Sequence, residues 1–186
     1  MASASPRRKE LLEQIGLQFE VAPSNHDEEI TSASEPHETA RKLSLGKARS
    51  AARKHRNALI IAADTFVVFG DRILGKPHTN AEAREMLCAL NGKPHLVITG
   101  FTVLDTETGK VVSRSVETRV NMRKLTLEEI ESYVRTKEPL DKAGGYAIQG
   151  LGAVLVERIE GDYFNVVGLP LSALAESLRE FGIKVL

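Results

Sequence analysis

The chain reads as an α/β domain, and three observations predict it. Segments with helical periodicity alternate with segments of strand periodicity along the chain. Residues 58 to 63 form a short, wholly apolar run, as in a central strand covered on both faces. The 186 residues contain no internal repeat, low-complexity tract or linker, so one domain over residues 1–186 is expected.

The elements follow in order. Ser5-Pro6 reads as an N-cap with proline at the first helical position. Leu11, Leu12 and Ile15 give that helix an apolar face, and Gly16 ends it. Residues 17 to 21 alternate apolar and polar like a strand. Residues 22 to 35 are a polar loop carrying Asp27, Glu28 and Glu29. A second helix starts near Pro36. At 100° per residue its Ala40, Leu43, Ser44 and Ala51 share a face, and Lys47 falls in the middle of it. A lysine there either snorkels to water or meets an anion.

The apolar run at 58–63 ends in Asp64-Thr65, which places that dipeptide at a strand end. Residues 66–69 and 72–74 then read as a hairpin around Gly70-Asp71, with Phe69 facing Arg72 and Lys76 across from Thr65. Thr79 and Glu82 make a capping box for a helix with Ala83, Met86, Leu87 and Leu90 inward and Cys88 on its flank. Asn91-Gly92 stops it. Strands are expected near 95–105 and 111–123, joined by a Thr-Glu-Thr-Gly turn. Thr126 and Glu129 cap another helix through Tyr133 and Val134. Residues 153–159 and 163–167 read as two strands across Glu160-Gly161-Asp162, and a last helix carries Leu171, Leu174, Leu178 and Phe181.

Composition narrows the function. Apolar residues make up 42% and charged residues 27%, enough for a sizeable core and against disorder. Lys plus Arg equals Asp plus Glu at 25 each, so a nucleic-acid coat is disfavoured and any phosphate must be met by a few clustered cations. No apolar stretch approaches a membrane span, and no signal-peptide pattern opens the chain. The single Cys88 permits neither an internal disulfide nor a cysteine metal cluster, and a reducing cytoplasm is the expected home. The five histidines, at 26, 37, 55, 78 and 95, show no paired metal spacing and read as surface or core residues. Homodimer formation is left open.

Three polar clusters could carry chemistry. Ser3, Ser5, Arg7 and Arg8 stand at the mouth of the first helix, where free N–H groups and the helix dipole favour phosphate; alone, this is also an ordinary capped helix. Asp64 and Thr65 follow a buried strand, where a carboxylate can hold a divalent metal or take a proton from water, or simply start a loop. Lys76, before Pro77, is a candidate phosphate cation or a plain surface lysine. The third cluster runs Asp141-Lys142-Ala143-Gly144-Gly145-Tyr146-Ala147-Ile148-Gln149-Gly150. Adjacent glycines suggest a sharp bend or a close backbone approach. The Gln149 amide offers a donor beside an acceptor, which fits the edge of uracil or thymine and, when flipped, cytosine.

Together these segments resemble the Maf family of nucleoside triphosphate pyrophosphatases. The match rests on Ala2-Ser3-Ala4-Ser5-Pro6-Arg7-Arg8 with Glu10-Leu11-Leu12, on Ala63-Asp64-Thr65 with Leu74-Gly75-Lys76-Pro77, on Asp141 through Gly150, and on Gly161-Asp162-Tyr163 with Asn165-Val166-Val167-Gly168-Leu169-Pro170. The resemblance implies an elongated fold similar to inosine triphosphatases, with a mixed central sheet flanked by helices and a cleft between two lobes. It implies hydrolysis of a nucleoside triphosphate between the α and β phosphates, giving a monophosphate and pyrophosphate with Mg²⁺ or Mn²⁺. It casts Asp64 as proton acceptor and Arg7, Thr65 and Gln149 as base-selecting residues. Ser3, Arg8, Lys47, Lys76 and Lys142 are cast around the phosphates, and Glu28, Asp64 and Asp141 around the metal.

The Gly145-Tyr146-Ala147-Ile148-Gln149 run is similar to the branch acting on dTTP and UTP rather than on 7-methyl-GTP, with modified pyrimidine nucleotides included. A non-catalytic nucleotide sensor in cell division is the alternative. Family members usually start with an apolar strand before Ala-Ser. Here Met1 leads directly into Ala2-Ser3, so a shortened first strand is expected.

Overall fold

The computed structural model describes residues 1–23 and 35–186. Its elements are helices α1 (Pro6–Gln14), α2 (Pro36–Ala52), α3 (Asn80–Leu90), α4 (Leu127–Arg135), α5 (Tyr163–Val167) and α6 (Leu171–Arg179). The strands are β1 (Leu59–Phe69), β2 (Arg72–Leu74), β3 (Pro94–Asp105), β4 (Val111–Met122) and β5 (Val156–Glu160). They form one sheet in the order β2-β1-β3-β4-β5. All four pairings are antiparallel, so the mixed sheet expected from the resemblance is not what forms among the described residues. The physical reason is connectivity. β1–β2 and β3–β4 are joined by short turns, and α3 returns the chain past β2 so that β3 runs back along β1.

The hairpin register is as predicted, with Phe69 opposite Arg72. Pairing stops at Leu74, however, so Lys76 never joins the ladder across from Thr65; instead the Gly75 carbonyl accepts the Gly144 N–H at 2.9 Å. Two further expectations fail. Residues 17–21 are extended but form no strand: Leu17 N–H donates to the Leu12 carbonyl, the Met1 amino group donates to the Glu20 carbonyl, and the Met1 carbonyl accepts from Ala22 N–H, with no ladder among the described residues. Tyr163–Val167 is a short helix, because the Asp162 carboxylate caps the Phe164 N–H at 2.8 Å. Cys88 is exposed.

Capping is closer to expectation. Thr126 and Glu129 form the full box, whereas Thr79 caps Glu82 N–H but the Glu82 side chain accepts from His78 N–H. No described helix is long and apolar enough to cross a membrane.

Alternation along β1 and β3 sorts the core. Ile60, Ala62, Phe66 and Val68 face α2, which lays Ala40, Leu43, Ala48 and Ala51 on them. At Gly100 the backbone of α2 comes so close that a Cβ would overlap the carbonyl oxygen of Ala40. On the other face the apolar packing splits into two clusters. One joins Val67 and Val97 to α3 and α4; the other joins Ala63 and Phe101 to α1 and α6. Between them lie Thr65 and Thr99, paired in register with their hydroxyls 2.9 Å apart. This polar seam divides the face into two lobes.

Candidate active site

The seam opens at the edge of β1. β2 covers that edge only from Val67 onward, and Ala2 N–H reaches it at the Ile61 carbonyl, 2.7 Å away. Between these points no strand pairs with the edge among the described residues. A cleft of about 570 Å³ lies there, lined by Asp64, Thr65, Phe66 and Val67 together. The sequence placed Asp64 at a strand end; it sits in the middle of an eleven-residue strand. Strict alternation points Asp64 and Thr65 to opposite faces, and the bare edge is what lets one cleft reach both.

Each predicted residue can now be placed. Lys47, on the inward face of α2, makes an ion pair with Asp64 Oδ1, so the anion that periodicity asked for is a carboxylate of the protein itself. Arg8 braces three elements: Nε donates to the Gly168 carbonyl at 2.8 Å, Nη1 to Ser3 Oγ at 3.1 Å and Nη2 to Thr65 Oγ1 at 2.9 Å. Burial lowers its pKa, the Asp64 charge raises it, and Arg7 lowers it again. Arg7 approaches Asp141 Oδ2 at 3.8 Å. Lys76 lines the cleft, its pKa lowered by desolvation and by the charges of Arg8 and Lys47, against the pull of Asp141 and Asp64. Ser3 and Ser5 border an adjoining hollow of about 230 Å³ with Arg7, Arg8, Lys47, Lys76 and Asp141. Gln149 lines the main cleft. Glu28 lies outside the described residues.

The Gly-rich segment behaves as its composition suggested. Gly144 and Gly145 both have left-handed φ, +70° and +74°, and a Cβ on Gly144 would come within 2.8 Å of Val67 Cγ2. Lys142 Nζ donates to the Glu138 carbonyl at 3.2 Å and pairs with Asp141. Partial burial opposes ionisation of Asp141, but the Lys142 hydrogen bond and the nearby charges of Lys142 and Arg7 bring its pKa below the usual value.

Several contributors were not picked out from the sequence. Glu138 Oε1 accepts from the Tyr133 hydroxyl and Gly152 N–H, both at 2.9 Å, and its Oε2 from Leu151 N–H at 3.2 Å, which ties down the turn after Gln149. The Tyr133 hydroxyl also accepts Ala147 N–H at 3.2 Å. His95, 3% exposed, has Nε2 2.6 Å from the Tyr146 hydroxyl. The only signal available for His95 was a histidine breaking an apolar strand.

Burial holds the His95 pKa down at about 4, although the neighbouring Lys93 backbone works the other way. An unfolded histidine takes its proton near pH 6.5. Between these values the unfolded chain binds the extra proton, so stability falls as pH drops from about 6.5 towards 4, by about 3 kcal/mol, and is unaffected above that window. Urea midpoints at pH 7 and pH 4.5 test this. His95→Gln should lose clearly less stability than the wild type on acidification; equal losses would contradict it.

Chemically, the cleft sets five basic side chains (Arg7, Arg8, Lys47, Lys76 and Lys142) against two carboxylates, Asp64 and Asp141. In a chain of zero net charge this is a local positive field suited to a polyanion. Among the described residues no group of three or more His, Cys, Asp or Glu forms a ready-made metal cage. Two hard oxygen donors do fit a magnesium-like ion, which takes one or two carboxylates and completes its shell with phosphates and water.

Known proteins resemble this chain over its full length. A dTTP/UTP pyrophosphatase of Desulforamulus reducens is 49% identical over all of this chain and 97% of its own length. Proteins of the same name from Methanococcoides burtonii and Thermoanaerobacter sp. are each 52% identical over the whole chain and 95% and 98% of their own lengths. Among solved structures, a nucleoside-triphosphatase / dITP/XTP pyrophosphatase from Mycobacterium abscessus covers 97% of this chain and 93% of its own at 14% identity and a TM-score of 0.45. The model of the Maf-like proteins matches residues 1–181, nearly the full length, and the chain therefore belongs to the Maf family.

Proposed function

We propose that the protein hydrolyses dTTP and UTP, and modified pyrimidine nucleotides of the same shape, between the α and β phosphates. The observation that carries this reading is the meeting of Arg7, Lys47, Asp64, Thr65, Lys76 and Gln149, drawn from distant parts of the chain, around one cleft. The names of relatives about half identical over the full length support it. The polyphosphate lies toward the hollow at the mouth of α1, where Ser3, Ser5 and the cations gather. The base lies toward Gln149.

In this reading Asp64 takes a proton from the attacking water through Oδ2, the oxygen opposite the one paired with Lys47. Lys47 and Lys76 stabilise charge on the departing pyrophosphate. Arg8, with three of its five N–H donors committed, holds Ser3, Thr65 and Gly168 in place and has two left for phosphate. With Asp64 serving as the base, Asp141 is the described carboxylate left to hold Mg²⁺ or Mn²⁺; when bound, the ion would offset charge on the phosphates.

The test is incubation with a panel of triphosphates and Mg²⁺ in ¹⁸O-water, with products identified by mass. A labelled monophosphate and unlabelled pyrophosphate are expected. Label in pyrophosphate would place attack on the wrong phosphorus, and no turnover would leave only a nucleotide sensor. Gln149→Ala should lower the preference for dTTP over dCTP about tenfold, the scale of a lost hydrogen-bonding pair, while inhibition by tripolyphosphate stays put. An equal loss for every triphosphate would remove Gln149 as a base reader.

A further inference from the structure

We propose that His95 is a positioning residue for base selection: it shares a hydrogen bond with the Tyr146 hydroxyl and so fixes the Gly144–Gln149 turn that presents Gln149. This rests on the reading of Gln149 given above. His95 stands on β3 two residues before Val97, on the face that carries the Thr65–Thr99 seam. It is buried, and its Nδ1 has no hydrogen-bond partner among the described residues. An orphaned buried nitrogen is costly, and a leucine there would avoid that cost. What histidine adds is a ring nitrogen aimed at the Tyr146 hydroxyl, with the rings edge-on at 5.3 Å and 83°. Burial keeps the His95 ring neutral at neutral pH, so Nε2 and the Tyr146 hydroxyl share one hydrogen bond whose donor is set by the ring tautomer.

Tyr146 is a critical place for such a tie. It follows two glycines in left-handed conformation, the softest point of the segment, and precedes Gln149 by three residues. The backbone there is held at Gly144 by Gly75 and at Ala147 by the Tyr133 hydroxyl. The tie at Tyr146 sets the path between those two points. Both Tyr146 and Gln149 line the cleft, whereas His95 stands behind Tyr146. His95 therefore acts through the turn and not on the nucleotide.

The experiment compares wild type, Tyr146→Phe, His95→Leu, His95→Gln and the Tyr146→Phe/His95→Leu pair, each checked for cooperative unfolding. Tyr146→Phe keeps the ring and loses the hydroxyl, so it carries the test even if His95→Leu fails to fold. Expected is a rise of about five- to tenfold in KM for dTTP and UTP with kcat within about twofold, and a matching fall in preference over dCTP. Inhibition by inorganic tripolyphosphate should not move. The double variant should be no worse than the worse single one, and His95→Gln, which keeps an acceptor, should recover most of the loss. Unchanged KM and preference in Tyr146→Phe, or weakened tripolyphosphate binding to the same degree, would overturn the inference alone. A wild-type protein that turns over all bases alike would remove the reading of Gln149 and this inference with it.

Discussion

Asp64→Asn should lower turnover of dTTP by at least about a hundredfold while leaving a folded protein, because a general base contributes on that scale or more. The substitution keeps size and shape and removes one charge. The carboxylate lies in the cleft, its side chain 18% exposed, and its visible partner is the Lys47 ammonium at 21%. Losing the charge leaves Lys47 without a counter-ion, but water reaches both groups. The cost to stability is therefore nearer the 1 kcal/mol typical of accessible pairs than the several expected for a sealed one. Steady-state kinetics and a urea melt on the same sample separate the effects. A folded variant with ordinary turnover would take Asp64 out of the chemistry. A variant that unfolds would instead make the pair with Lys47 a keystone of the fold.

Gly100→Ala is the largest expected blow to stability, on the order of 3 kcal/mol or more, from a change of one methyl group. Gly100 lies on β3 directly opposite Asp64, on the face covered by α2. An added Cβ would overlap the Ala40 carbonyl, with Ala40 Cβ a further 2.9 Å contact. The obstacle is main chain, which no rotamer change relieves, so Ala40→Gly should not rescue the variant. α2 would have to lift off the sheet, opening the contacts of Leu43, Ala48 and Ala51 and drawing Lys47 away from Asp64. Urea denaturation reads the loss, and any folded fraction should be poorly active. A loss under about 1 kcal/mol would mean that α2 floats on the sheet rather than seating on it.

What could be read from the sequence depended on the range of the determining interaction. The inward face of α2, the position of Lys47 on it, the Phe69–Arg72 hairpin register and the Thr126 cap are set within a few residues, and each appeared as expected. The bend at Gly144-Gly145 was equally local. The length of β1 was not, since Asp64 interrupts its apolar pattern and only the ladder to β3 carries the strand through it. Residues 17–21 alternate like a strand but lack a ladder, whereas Tyr163–Val167 has strand-forming residues and is turned helical by Asp162. As for the site, the polar residues were legible as clusters at the α1 mouth, at Asp64 and around Gln149. Their assembly was not, because it requires the long-range bonds of Arg8 to Thr65 and Gly168 and of Tyr146 to His95.

The uncovered margin of β1 has a consequence for how such a protein can diversify. Neighbouring residues on a strand ordinarily serve separate neighbourhoods, one above the sheet and one below. Here two successive positions line the same cleft from either side of a selvage, the acid on one flank and the hydroxyl on the other. In the proposed reading, reaction at Asp64 and selectivity at Thr65 would fall to adjacent codons, so exchange at Thr65 would retune which nucleotide is welcomed while the carboxylate keeps its pairing with Lys47.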